Sequence, residues 1–284
     1  MIEIGIVVLN YKNYEETITC VKSIIIQEKV SPIIAIVDNG SNNESLNILH
    51  EEFDDIENIS ILSNYENLGY ARGNNIGISF LRKRGIDFII VCNSDVVFST
   101  NRIIFDMYKM NTDKVGTIIP VIRNLNGTIE MRAQYKSKLF DLRVLKELKK
   151  MQSTVVRTSN RNASRKKEMT FLDPGVYDDY YVITGSVFAL TPSFFQHYSG
   201  LFPETFLYVE ELATLLLVHK AGLRCAIAKT DDVIHKGAAS TSDSLKAGTE
   251  EKRRLIACSA RKVEKLVFLS GRILKRKYGA KNDS

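Results

Sequence analysis

The residues in this sequence that could do chemistry stand where apolar runs give way to polar ones. Asn10 closes the run Ile2–Leu9, Asp38 closes Ile33–Val37, and Asn93-Ser94-Asp95 follows the unbroken run Phe88–Cys92. A carboxylate among small polar residues at a strand end is placed to hold a divalent metal through its hard oxygens. It can equally take a ribose hydroxyl or a base imide, and in open α/β sheets that end of the strand is where ligands bind. Farther on, Glu210-Glu211 precedes an apolar helical run and His235 closes Val233-Ile234. One carboxylate of the pair can serve as a general base, while charge in a first helical turn is also favoured by the helix dipole alone. For His235, metal ligation and a structural hydrogen bond both suit the residue type. Asp38 lies in Asp-Asn-Gly-Ser, which is also turn chemistry. Gly185 interrupts the run Tyr180–Leu190, as a glycine does where a ligand approaches the backbone.

The elements that must position these residues follow from apolar spacing. Continuous runs predict strands over Ile2–Leu9 (apart from Glu3), Ile33–Val37 and Phe88–Cys92, the last buried on both faces, and further strands are expected over Ile59–Leu62 and Val115–Ile122. Helical spacing predicts helices over Tyr14–Gln27, from about Glu44, through a loop Asn67–Asn75 up to Arg84, and over Arg102–Met110. Strand and helix alternating at short spacing predict a βαβ layer architecture with a mostly parallel sheet. A second tier follows: a helix within Leu139–Leu148, ordered chain over Tyr180–Leu190, a helix ending near Ala221-Gly222, and short strands Leu223–Ala228 and Val233-Ile234. From Glu250 to Lys277, Leu255, Ile256, Val263, Leu266, Val267, Ile273 and Leu274 recur among basic residues, which predicts one basic amphipathic helix. The expected organisation is a domain over 1–245, with a basic insertion at about 131–170 whose 153–167 stretch is polar and mobile, and a helical extension over 246–284.

The 284 residues suffice for one large α/β domain with an extension. Four widely spaced cysteines without metal-ligand spacing read as reduced thiols of a cytosolic protein. The first residues show no basic lead and apolar core of a signal peptide, and no window of about eighteen residues is apolar enough to span a membrane. The net charge of +6 divides unevenly: Arg132–Glu168 carries +9, Lys246–Ser284 carries +8, and the remainder −11. Such asymmetry predicts an anionic partner surface. Nucleic acid would fit the charge, but no nucleic-acid-binding motif accompanies it.

The first strand is followed neither by G-x-G-x-x-G nor by a Walker lysine loop, which excludes the commonest dinucleotide and P-loop classes. The residues instead resemble glycosyltransferase family 2, inverting enzymes of the Rossmann-like GT-A fold, in the branch of bacterial rhamnosyltransferases and related cell-surface polysaccharide enzymes. The likeness is carried by VVLNYKN at Val7, IVDNGS at Ile36, ENLGYARGNN at Glu66, VCNSDVVF at Val91, TGSVFAL at Thr184, FLYVEEL at Phe206, HKAG at His219 and VIHKGAAS at Val233.

This resemblance implies that Asn10 and Asp38 hold the nucleoside and that Asn67, Gly69 and Arg72 line the diphosphate and donor-sugar region. Asp95 takes the last place of an Asp-x-Asp metal motif with Asn93 at the first, and His235 stands where relatives supply a further metal ligand. Glu211 stands at the base position, with Glu210 in reserve. Here the chain departs from the usual Glu-Asp-x-Asp, because Glu211 is one methylene longer than Asp and Ala213 carries no carboxylate. Implied with these are a divalent cofactor (Mn²⁺ or Mg²⁺), a dTDP- or UDP-sugar donor and a glycan or lipid-linked acceptor. The sequence also allows an anionic membrane surface on the cytoplasmic side and a homodimer. Two other classes remain: a catalytically silent binding subunit of a membrane complex, and a sugar nucleotidyltransferase, whose glycine-rich first loop is here Asn10-Tyr11-Lys12-Asn13.

Overall fold

The structure, a computed structural model, describes residues 1–130, 134–135, 137–153, 175–177, 180–181, 184–237 and 249–280. Its elements in chain order begin with β1 (Ile2–Asn10), α1 (Tyr14–Ile25), β2 (Val30–Asp38), α2 (Ser45–Phe53), β3 (Ile59–Ser63) and α3 (Tyr70–Lys83). Next come β4 (Ile89–Asn93), β5 (Val96–Phe98), α4 (Ile103–Tyr108), β6 (Val115–Ile119), β7 (Ile122–Asn124), β8 (Gln134–Tyr135) and α5 (Phe140–Ser153). Then follow β9 (Gly175–Tyr177), β10 (Tyr180–Tyr181), β11 (Val187–Leu190), α6 (Pro192–Phe195), α7 (Glu210–Lys220), β12 (Arg224–Ile227), β13 (Val233–His235), α8 (Glu250–Val267) and α9 (Gly271–Tyr278).

Eight strands form one sheet in the order β3-β2-β1-β4-β11-β6-β12-β9, and β5-β13-β7 form a smaller one. The first four strands run parallel, in a register that aligns Asn10 with Asp38, Asp38 with Ser63 and Leu9 with Asn93. The polar ends read from the sequence therefore share one edge. Two apolar clusters cover the two faces of the sheet, one built with α3, α5, α7, α8 and α9, the other with α1, α2 and α4. Helix α3 lies close on the sheet because Gly77 has no side chain: a Cβ there would come within 2.6 Å of Val7 Cγ1. This architecture is the mixed α/β layer arrangement expected from the sequence.

Four expectations change. The strand expected over Val115–Ile122 breaks at Pro120, which has no N–H to give a ladder, and its far part, β7, joins the small sheet. Tyr180–Leu190 likewise divides between β10 and β11. The polar loop expected over Asn67–Asn75 is already helical from Tyr70. Most consequentially, the single helix expected over Glu250–Lys277 is two, because Ser270 caps α9 by accepting from Ile273 N–H. Within α8 and α9, Ala260, Val263, Leu266, Val267 and Leu274 are buried in the same cluster as α3 and α7. Leu266, Val267 and Leu274 thus meet protein, while Ile273 stays exposed. Of the stretch expected to be mobile, residues 154–167 lie outside the described residues. Among the described residues, no helix is long and apolar enough to cross a membrane, and three of the four free cysteines are buried, with Cys258 exposed.

Burying one Val or Leu side chain contributes about 1.5–3 kcal/mol, so the apolar face of α8 and α9 is worth on the order of the whole stability of a domain. A chain ended after Ser244 is expected to be insoluble or unfolded by circular dichroism. A soluble, cooperatively melting truncation would show that the two helices are dispensable to the core.

Candidate active site

On the strand edge, the Asn10 amide donates to Asp38 Oδ1 (2.6 Å), and Ser41 donates to the same carboxylate through both its hydroxyl and its N–H. Asn10 is wholly buried, and its Oδ1 accepts from Thr17 Oγ1 (2.9 Å), so it acts by orienting Asp38. The turn chemistry of Asp-Asn-Gly-Ser is therefore present and serves to aim the carboxylate. The neighbouring loop is knotted around Asn39, which donates to Asn67 Oδ1 (2.9 Å) and accepts from Asn64 Nδ2 (3.0 Å) and Leu68 N–H (3.1 Å). Asn67 Oδ1 also accepts from Gly69 N–H (2.9 Å). Gly69 heads α3 at φ 81°, and a Cβ there would fall 2.2 Å from the Phe206 carbonyl oxygen. No other residue fits this point of contact.

Asp95 sits just past the end of β4, where β5 and β13 pair and bring His235 opposite Val96. His235 Nε2 lies 3.4 Å from Asp95 Oδ1, and Nδ1 pairs with Glu130 Oε1 at 2.7 Å. Burial pulls the imidazole pKa down, but bonds to Asp95 and Glu130 outweigh it and push it up to about 9. A carboxylate holding the far nitrogen of an imidazole is the outer support that metal-ligating histidines use. Once Nε2 gives up its proton, one carboxylate oxygen and one imidazole nitrogen at this separation would suit a divalent ion whose remaining positions are filled by a ligand's oxygens and water. A closed cage is absent: no group of three or more such side chains that could hold a metal ion occurs among the described residues. Asn93 contributes backbone, its N–H donating to the Ser186 carbonyl (2.8 Å).

Glu210 and Glu211 open α7, entered through two residues in the left-handed region, Tyr208 (φ 70°) and Val209 (φ 72°). Such backbone costs about 1–3 kcal/mol per residue and persists only where its surroundings impose it. Three contacts impose it here. Tyr70 N–H donates to the Phe206 carbonyl (2.7 Å), Ser259 Oγ of α8 to the Leu207 carbonyl (2.9 Å), and Lys252 Nζ stands 4.9 Å from the Tyr208 ring centre. Burial, with the charge of Glu211 beside it, pushes the Glu210 carboxyl up to about 8. The Glu211 carboxylate fills the space a side chain at Gly185 would need, since a Cβ there would meet Oε1 at 3.0 Å. Gly185 is thus approached by a side chain of the site itself.

Tyr70 joins these groups, and composition gave no sign of it. Its hydroxyl donates to the Gly185 carbonyl (2.6 Å). Burial, with the charges of Glu211, Glu210 and Asp95 near it, holds the phenol well above its ordinary range. Asn39, Glu130 and Ser259 were also missed, because each acts through a contact distant in sequence, whereas Ser41 acts within the Asp-Asn-Gly-Ser turn itself. Arg72 stands apart from the set: its Nε donates to the Pro203 carbonyl (2.9 Å), and it lines a separate cavity of about 620 Å³ with Ile76, Phe80 and Lys83 on the outer face of α3.

The sequence profile of glycosyl transferase family 2 matches residues 5–170, more than half of the chain. The chain belongs to glycosyl transferase family 2. Solved structures share the family's fold at low identity. S. aureus TarS 1-349 in complex with UDP is 12% identical with a TM-score of 0.53, over 90% of this chain and 70% of that one. The mannosyltransferase PcManGT from Pyrobaculum calidifontis, in complex with GDP-Man and Mn²⁺, is 10% identical with a TM-score of 0.54, over 96% and 72%. GalNAc-T7 with UDP, GalNAc and Mn²⁺ is 15% identical with a TM-score of 0.56, over 83% and 44%. The chain spans 37% of the length of the longer S. aureus TarS chain. No curated protein matches it.

For this family 2 chain, the raised Glu210 pKa has a thermodynamic consequence. The fold prefers the neutral carboxyl, so the stability this preference contributes is complete below the ordinary value of 4.5 and is lost as pH rises towards about 8. Glu210→Gln keeps the neutral shape at every pH. Its melting temperature is expected to match the parent at pH 5 and to exceed it at pH 9. A constant difference between the two pH values would show that Glu210 is not held neutral.

Proposed function

We propose that this chain is an inverting glycosyltransferase that moves a sugar, a rhamnose or other hexose, from a dTDP- or UDP-sugar to a glycan or lipid-linked acceptor in bacterial cell-surface polysaccharide synthesis, on the cytoplasmic side of the membrane. The observation that carries this reading is the convergence on Tyr70. The Tyr70 hydroxyl donates to the Gly185 carbonyl, Glu211 lies against Gly185, and the adjoining Ser186 carbonyl accepts from Asn93 N–H two positions before Asp95, so the candidate base and the candidate metal carboxylate are tied to one turn at the polar end of the sheet. Family membership supplies the reaction class, and relatives holding UDP or GDP-Man support the class of donor.

In this reading Asp38, fixed by Asn10 and Ser41, accepts hydrogen bonds from the nucleoside. The first N–H of α3, that of Tyr70, goes to the Phe206 carbonyl, and the positive dipole end of the helix would favour the diphosphate. Asp95 and His235 would hold a divalent ion, Mn²⁺ or Mg²⁺, which supplies charge neutralisation for the leaving nucleoside diphosphate. Glu211 accepts the proton of the acceptor hydroxyl as that oxygen attacks the anomeric carbon from the face opposite the diphosphate, which inverts the configuration. Burial and the neighbouring Glu211 push the Glu210 carboxyl up to about 8, which favours its neutral form at pH 7, so Glu210 stands in reserve to Glu211. The extra methylene of Glu211 relative to aspartate is accommodated by the vacancy over Gly185.

Two substitutions test the two halves of the site. Asp95→Ala is expected to abolish the Mn²⁺-dependent part of nucleoside diphosphate affinity in calorimetry with the fold intact; an unchanged dependence on Mn²⁺ would remove Asp95 as a ligand. Glu211→Gln is expected to keep donor affinity and lose turnover by about 10² or more. A larger loss in Glu210→Gln would move the base by one residue, and no loss in either variant of an active enzyme would refute the assignment of this pair.

A further inference from the structure

Four of the twelve exposed large hydrophobic residues among those described fall on one basic region: Leu139 (49% exposed), Leu142 (64%), Phe268 (69%) and Ile273 (41%). Leu139 ends the short turn just before α5, Leu142 lies in its first turn, Phe268 lies just past α8, and Ile273 lies on α9. These segments meet at the end of α7. Lys220 Nζ donates both to Asp141 Oδ2 (2.6 Å) and to the Val267 carbonyl (2.9 Å). Leu142 and Phe268 are the chain neighbours of the two residues that this ammonium group bridges. Gly271, the first residue of α9, is pressed against the same residue, since a Cβ there would come within 2.1 Å of the Lys220 carbonyl oxygen. The segments that carry the exposed apolar side chains thus meet at one part-buried junction.

The charge around them is of one sign. Residues 138–153 together with α8 and α9 carry fifteen Lys and Arg against five Asp and Glu, and Arg143, Lys146, Lys265, Arg272 and Arg276 are exposed. We propose that this face docks on the surface of an anionic lipid bilayer, with Leu142, Phe268 and Ile273 entering the headgroup layer and the surrounding cations pairing with lipid phosphates. The membrane-facing residues are then not those of the helical stripe, whose Leu266, Val267 and Leu274 are buried in protein.

Bilayer is favoured over the other anionic and apolar partners by the side-chain types. Three of the four exposed residues are aliphatic, and aliphatic chains gain by entering the acyl boundary, whereas unpaired nucleic acid is gripped by stacking on aromatic rings. A second copy of the same face would set two strongly cationic surfaces against each other. The inference stands independently of the transferase reading, because it rests on surface chemistry alone.

The test uses the full chain in co-sedimentation with vesicles of phosphatidylcholine, with and without phosphatidylglycerol. Binding is expected only with the anionic lipid at about 0.1 M salt and to fall at least ten-fold at about 1 M, where the Debye length shrinks from about 10 Å to about 3 Å. Leu142→Ser with Phe268→Ser should weaken binding about five-fold or more with an unchanged melting temperature, both side chains being exposed. Arg272→Glu with Arg276→Glu should weaken it further and reduce its salt dependence. Equal binding to the two vesicle types, or none to either, overturns the proposal. So does full binding by the Leu142 and Phe268 variant. A concentration-dependent dimer that the same variant dissolves, or release from vesicles by an oligonucleotide at lower concentration than by free lipid headgroup, assigns the face to another partner and also overturns it.

Discussion

One residue in the first turn of α3 holds the two halves of the site in register. Tyr70 gives its backbone N–H to the Phe206 carbonyl and its hydroxyl to the Gly185 carbonyl. The first bond pins the segment that carries Glu210 and Glu211, and the second pins the turn against which Glu211 lies. The contact is close enough that residue 69 must be glycine, both for its positive φ and for the Phe206 oxygen beside it. Two strained residues, Tyr208 and Val209, follow within the same segment. Strain of this kind survives only because α3 presses from one side and Ser259 and Lys252 of α8 hold from the other. The C-terminal helices thus bear directly on the placement of the carboxylate pair, in addition to closing the core.

Electrostatics then differentiates groups of similar type. Glu210 is buried beside a second carboxyl and its neutral form is favoured near pH 7, whereas His235 is half-buried between two carboxylates and its charged form is favoured. Burial disfavours charge in both cases, and the neighbours decide the outcome. Glu210 has a like charge beside it, so burial and repulsion act together. His235 has two opposite charges, so attraction overcomes burial.

The strands were legible because their side chains carry the signal locally. Ile2–Asn10, Val30–Asp38 and Ile89–Asn93 are apolar on both faces, as only the middle of a covered parallel sheet requires. Where the reading failed, the deciding fact lay outside the window. Pro120 sends the end of one expected strand into another sheet, and Ser270 restarts a helix whose apolar spacing runs on as though unbroken. The apolar stripe of α8 has the same pattern whether it meets lipid or protein, so its spacing could not choose, and the packing against α5 and α7 did. Arg72 shows the limit for site residues. Its place in a recognisable motif says nothing of its direction, and it turns to the Pro203 carbonyl on the outer face of α3.

By itself the sequence determined the layer architecture, the edge of the sheet where polar residues gather, and the identity of Asp38, Asp95, Glu210, Glu211 and His235 as the groups with chemistry to offer. These depend on residue type and near-neighbour spacing, which are properties of a linear string. Only the tertiary structure decided how those groups divide the work. Asn10 became the support of Asp38, Glu130 the partner of His235 across 105 positions, and Tyr70 the link to Gly185 across 115. A hydrogen bond or a pKa shift depends on separations of a few ångströms, and such separations between distant residues exist only once the sheet register and helix packing are set.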